Sequence, residues 1–224
     1  VTIGENLAIV RERIEKACEA SGRSISEVGV MAVTKTHPAE TVRAAVAAGI
    51  RAIGENRVTE GGRKVRELGA DFAEFHLIGP VHTREVRQAA RDFRWIDSVD
   101  RTEIASELIR RNAANSLLVE VNTSGEPGKK GFPPDHDVLT EALGMMARSG
   151  LRVEGLMTVG PLSVSEMDSR RAFALLRELR DRLKAALGLP LDTLSMGMSD
   201  DYVHAVREGS TMVRLGRVLL GGRR

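Results

Sequence analysis

Of the six lysines in the 224-residue chain, one stands apart. Lys35 closes the apolar run "VGVMAVT" and is followed at once by His37-Pro38, a pair that turns the chain away from helix. It therefore ends a strand. Lys16, Lys64 and Lys184 fall in charged helical stretches, and Lys129 and Lys130 in a loop rich in Gly and Pro. A lysine at a strand end either extends its ammonium into water or is held against apolar walls. In the second case desolvation favours the neutral amine and makes it a nucleophile.

A second candidate lies near the other end of the chain. "LSMGMSDDY" reads as a strand, a Gly turn, and then Ser199-Asp200-Asp201 as the cap and first turn of a helix, a place where unpaired N–H groups attract anions. "VRLGRVLLGG" carries the last strand out through Gly216, where backbone can approach a ligand closely. A phosphate gripped between Ser199 and Gly216 is one reading; turn and cap residues whose aspartates repel anions is the other. Together with an amine at Lys35, the first reading suits an aldehyde that bears a phosphate. Pyridoxal 5'-phosphate and a sugar-phosphate carbonyl both qualify. Arg214, two residues before Gly216, would meet the edge of a pyridine ring and keep its nitrogen unprotonated.

Positioning these groups together requires a particular fold. After an opening helix over about residues 3 to 20, eight short apolar runs alternate with amphipathic stretches such as "AETVRAAVAAG" and "SRRAFALLRELRDRLKAALG". The runs lie at 28–34, 51–56, 75–79, 94–99, 117–122, 153–160, 192–197 and 211–216. Eight strands separated by helices close a parallel (β/α)8 barrel, although an open doubly wound sheet also alternates. In a closed barrel strand one neighbours strand eight, which brings Lys35 beside Gly216. With no linker or composition shift, residues 1–224 read as a single α/β domain, a TIM barrel with an extra N-terminal helix.

Composition excludes several other functions. A net charge of +2, with arginines interleaved among acids, and only 3% aromatic residues argue against a nucleic-acid groove. No stretch reaches the roughly 20 apolar residues that span a bilayer. A single cysteine, Cys18, fits a reducing compartment and a packed helix position, so a cytoplasmic protein is expected. The five histidines are scattered without metal-ligand spacing, and "GENRVTEGGRK" follows neither the dinucleotide nor the P-loop pattern. Asp97 and Asp100 suggest acid/base work, but a cap for the helix "RTEIASEL" explains Asp100 equally well.

The segments "VTKTHP", "IGENRVTE", "FHLIGPVHTREV", "IDSVDR", "VNTSGEPGKKG", "GLMTVGP" and "LSMGMSDDYVHAVREGSTMVRLGRVLLG" resemble, in order and over nearly the whole chain, the pyridoxal phosphate homeostasis proteins, the YggS or PROSC family. The resemblance implies a fold type III barrel like the N-terminal domain of alanine racemase, with pyridoxal 5'-phosphate (PLP) held as an internal aldimine. On it, Lys35 is the Schiff-base lysine, Arg214 the partner of the ring nitrogen, and Ser199 with Gly216 part of the phosphate cradle. Asn56, His76, Met157 and Ser195 match positions that line the cofactor. Phe75, Val81-His82 and Lys130 depart from the common pattern, away from the lysine and the phosphate motif.

The implied function is a PLP-binding protein of vitamin B6 and amino-acid balance without robust catalysis, a monomer that passes cofactor to apo PLP-dependent enzymes. The alternative is a racemase or decarboxylase of the same fold type. That chemistry needs an acid/base on each face of the substrate. No second domain is expected, and the only tyrosine, Tyr202, falls within a helix. A sugar-phosphate aldolase would need His76 as its acid/base.

Overall fold

The computed structural model describes residues 2–162 and 165–221. The opening helix α1 (Ile3–Glu19) starts at a capping box, in which Thr2 and Glu5 satisfy each other's backbone N–H groups. It buries Leu7, Val10 and Ile14 and packs across the last two helices. Eight parallel strands follow: β1 (Gly29–Val33), β2 (Ala52–Glu55), β3 (Glu74–Leu77), β4 (Trp95–Val99), β5 (Ser116–Glu120), β6 (Arg152–Met157), β7 (Thr193–Ser195) and β8 (Met212–Leu215). Each pairs with the next, and β8 returns to β1 with Met31 opposite Arg214, so the barrel is closed. The helices between strands are α2 (Ala39–Ala47), α3 (Val58–Leu68), α4 (Val86–Asp92), α5 (Thr102–Arg110), α6 (His136–Arg148), α7 (Glu166–Leu187) and α8 (Tyr202–Arg207). A short α9 (Arg217–Leu220) follows β8, and Asn6 of α1 donates to the Leu219 carbonyl at 2.9 Å.

The strands form where apolar residues run without a break, because sheet neighbours occupy their edges while helices and the barrel interior cover their two faces. Ile53, Phe75, Leu77, Ile96, Leu117 and Leu156 are almost wholly enclosed. The "NTSGEPGKKGFPPDHD" stretch is a long loop, as its Gly and Pro content implies. Its Val121–Phe132 bridge and the bond from Lys129 Nζ to the Gly160 carbonyl fasten it over the ends of β5 and β6. Among the described residues no helix is long and apolar enough to cross a membrane, and no cluster of metal-ligating side chains occurs.

Candidate cofactor site

At the C-terminal end of the barrel a cavity of about 680 Å³ opens, lined among others by Lys35, Asn56, Glu120, Ser199, Arg214 and Gly216. Its size suits one small organic ligand. A groove of about 480 Å³ at the opposite end lies between α1 and the starts of β1 and β2, and no lysine, histidine or cysteine is among its described lining residues.

Lys35 occupies the second position of the turn Thr34–His37, closed by the His37 N–H on the Thr34 carbonyl at 3.0 Å. It is half-buried, and its amine makes no ion pair or hydrogen bond with another described residue. Arg214, on β8, is 4% exposed. Its Nη1 donates to the Ser195 carbonyl at 2.6 Å and the Ser195 hydroxyl at 2.8 Å, and its Nη2 to the Thr158 carbonyl at 2.7 Å. Three of its five N–H donors are thus used, and Nε–H and the second Nη2–H have no partner among the described residues and are left for a ligand. Burial pushes the guanidinium below its ordinary value, and Asp97, Glu120 and Asp201 oppose that shift.

Ser199 and Gly216 both border the cavity, but the local geometry corrects one expectation. The helix begins at Tyr202 with Asp201 at its cap position, so Ser199 lies in the preceding turn and does not cap it. Asp201 instead accepts the Met198 N–H at 2.6 Å, and burial pushes its carboxyl up. The Ser199 hydroxyl is left without a described partner. Arg217 Nη2 reaches both carboxylate oxygens of Asp200, at 2.6 and 2.5 Å, and so joins the loops after β7 and β8. Asn56 is set by Gly79, since a Cβ on Gly79 would stand 2.1 Å from the Asn56 carbonyl oxygen.

Three expected residues lie beneath the cavity and do not border it. Met157 and Ser195 are buried on β6 and β7, and Ser195 meets Arg214. His76 stacks on Trp95 with ring centroids 5.0 Å apart, and its Nδ1 stands 3.0 Å from both oxygens of Asp97. Its Nε2 is buried and unpartnered. Asp97 is thus occupied by His76. Asp100 is no cap either: α5 has Arg101 at its cap position, and the Arg101 guanidinium binds the Asp100 carboxylate at 2.5 Å.

Two groups escaped the sequence reading. Glu120, the last residue of β5, is 7% exposed, borders the cavity and has no side-chain hydrogen bond to a described residue. Burial and the neighbouring Asp100 push its carboxyl up to about 7, against the pull of Arg214 and Lys130. Its signal in the sequence is a single charged residue inside the apolar run "LLVEV". Lys64 is the other. It sits on a helix as expected, but it points inward, 3% exposed, with its Nζ 2.7 Å from Glu55.

Residues 6–224 match the family model described as "Alanine racemase, N-terminal domain". The chain belongs to that family. Within it, the chain groups with the pyridoxal phosphate homeostasis proteins: it is 43% identical to one from Pseudomonas aeruginosa, over 99% of this chain and 96% of the relative. The structure of PipY from Synechococcus elongatus with PLP bound is 32% identical, covers 98% of this chain and all of PipY, and superposes with a TM-score of 0.83. Alanine racemase from Clostridium difficile shares the fold alone, with 16% identity and a TM-score of 0.73 over 98% of this chain and 57% of the racemase. The closed barrel expected from the eight apolar runs is thus the one this chain forms.

Proposed function

We propose that the chain holds PLP on Lys35 and serves in the intracellular homeostasis of that cofactor, without robust catalysis. The reading rests on one juxtaposition: an amine with no partner among the described residues and a buried guanidinium with two uncommitted donors border a single cavity of suitable size. Full-length relatives named for PLP homeostasis, and PipY with PLP bound, support it.

When bound, PLP supplies an aldehyde that condenses with a primary amine, with loss of water. Lys35 would be the amine for that bond, and the side of the cavity formed by Ser199 and Gly216 would hold the phosphate. Arg214 would hold the ring nitrogen, with an unused N–H of its guanidinium as the donor. A permanent cation there disfavours a proton on that nitrogen and so weakens the electron sink that amino-acid chemistry needs. Asn56 lines the remaining wall, while His76, Met157 and Ser195 support the floor. In the reducing cytoplasm the protein acts as a monomer that passes its cofactor to apo PLP-dependent enzymes.

One observation favours the catalytic alternative, a racemase or decarboxylase. Glu120 is a carboxyl that changes charge near neutrality inside the same cavity. Against it, the lone Tyr202 is 2% exposed and does not border the cavity.

The test is borohydride reduction of the loaded protein followed by peptide mapping. The reduced adduct is expected on Lys35, and Lys35→Ala is expected to lose both adduct and near-visible absorbance. An adduct on any other lysine removes Lys35 from its role. Holding apo-enzyme reactivation by the loaded protein against free PLP at equal concentration then separates delivery from storage.

A further inference from the structure

The glycine-bearing "GENRVTEGGRK" segment, which fits no nucleotide motif, forms β2 and α3 and builds a buried ion cluster directly under Lys35. A Cβ on Gly61 would stand 2.6 Å from the Phe93 ring and 2.7 Å from Glu55 Cβ, and one on Gly62 would stand 2.3 Å from Asp92. Glycine at these two positions lets α3 lie close against β2 and α4. Glu60 and Lys64, one turn apart on that helix, then reach the barrel end.

The Lys64 ammonium has three N–H donors, and all three are used: on Glu55 Oε1 at 2.7 Å, on the Thr34 carbonyl at 2.8 Å and on Glu60 Oε1 at 3.2 Å. The Thr34 hydroxyl donates to the same Glu55 oxygen at 2.5 Å. On the far side of Lys35, the Thr36 N–H donates to Glu60 Oε1 at 2.6 Å. Both chain neighbours of Lys35 are thus tied to one cluster. The restraint has strain to hold, because Thr36 has φ +67°, a left-handed conformation that is unfavourable for a β-branched residue and that turns of this kind reserve for Gly or Asn. Burial raises the Glu55 carboxyl, and the bonds from Lys64 and Thr34 pull it back. Burial works the same way on Glu60, but the Thr36 N–H and Lys64 outweigh it and hold that carboxyl below its ordinary range.

We infer that Glu60 and Lys64 are positioning residues, which hold the Lys35 turn in its strained form through Thr36 and Thr34 and so aim the amine into the cavity. The inference rests on the assignment of Lys35 as the PLP lysine, and its test separates the two. In the apo-protein, amide exchange of Thr36 followed by NMR reads the restraint without any cofactor. In a rapid-mixing experiment with PLP, the growth of near-visible absorbance reads the bond-forming rate. Glu60→Ala is expected to speed Thr36 exchange and slow bond formation, each by about tenfold, as loss of one charge-assisted hydrogen bond implies. Glu60→Gln keeps an acceptor for Thr36 and is expected to restore most of both. Non-covalent PLP retention measured in a Lys35→Ala background is expected not to change with Glu60→Ala.

A folded Glu60→Ala protein with parental exchange and parental rate overturns the inference. So does a fall in non-covalent retention that matches the fall in rate, since the cluster would then act on the phosphate side. If the parent protein forms no bond at Lys35 while Thr36 exchange still depends on Glu60, the restraint is real, but the PLP assignment and the role of the cluster in serving it both fall.

Discussion

Arg214 grips Ser195 twice, with one Nη1 donating to the carbonyl oxygen at 2.6 Å and to the hydroxyl at 2.8 Å. The guanidinium is thereby fixed before any ligand arrives. Lysine cannot reproduce the planar fork. Arg214→Lys is expected to leave buried acceptors on Ser195 or Thr158 unpaired and to cost roughly 1–3 kcal/mol for each. Urea denaturation measures that cost. Arg214→Glu should also shift the bound-cofactor spectrum toward the ring-protonated form across a pH series, and an unchanged spectrum would separate Arg214 from the ring.

Glu120 makes the stability of the protein fall as pH rises. Its carboxyl is raised from 4.5 to about 7 in the folded chain, so the folded form binds the proton more tightly than the unfolded one. The stabilisation is complete below pH 4.5 and is lost as pH climbs to about 7. A shift of this size corresponds to roughly 3 kcal/mol. Glu120→Gln is expected to remove that slope, and to be more stable than the parent at pH 8 though not at pH 4.5. Paired denaturation curves at the two pH values check it.

Ser199→Ala should leave folding intact, because the hydroxyl bonds to no other described residue. If it binds the phosphate, loss of one hydrogen bond to a charged group weakens PLP retention by roughly 1.5–3 kcal/mol. Equilibrium dialysis of the variant against the parent gives the number directly.

Two glycines at the cavity should respond differently to the same substitution. Gly79→Ala drives a Cβ to 2.1 Å from the Asn56 carbonyl oxygen, and the backbone must move. Overpacking of this kind costs roughly 1–3 kcal/mol, and Asn56 would be displaced with it. Gly216→Ala meets its first neighbour, the Val33 carbonyl oxygen, at an ordinary 3.5 Å. Its fold should hold within about 0.5 kcal/mol, as changes away from packed features do. Any loss of PLP retention in Gly216→Ala then reports on the ligand.

The barrel was legible because a strand enclosed on both faces must be apolar throughout, so each strand appears as a short unbroken run between amphipathic stretches. Each expected run contains or overlaps an observed strand, with ends shifted by as much as three residues where turn residues such as Thr34 and Gly160 leave the sheet. What stayed hidden depended on contacts far apart in sequence. Helical periodicity does not mark Lys64 as inward, because its three acceptors come from β2, from the loop after β1 and from its own helix. Asp100 and Ser199 failed as caps for a local reason: α5 and α8 each start one or two residues later than the nearest capping side chain suggests. Glu120 was visible as a residue type, but its altered acidity arises from burial first and then from Asp100 on the adjacent β-strand connection, neither of which a linear reading shows.

The pairing of β1 with β8 sets an order on biogenesis. The Lys35 amine leaves the ribosome well before Ser199 and Gly216, the residues assigned to grip the acidic tail, are translated. Until then the nascent polypeptide has no complete seat for its ligand. Loading must wait until β8 has been made, and a product that stops short of β8 would carry Lys35 without Arg214 or Gly216 beside it.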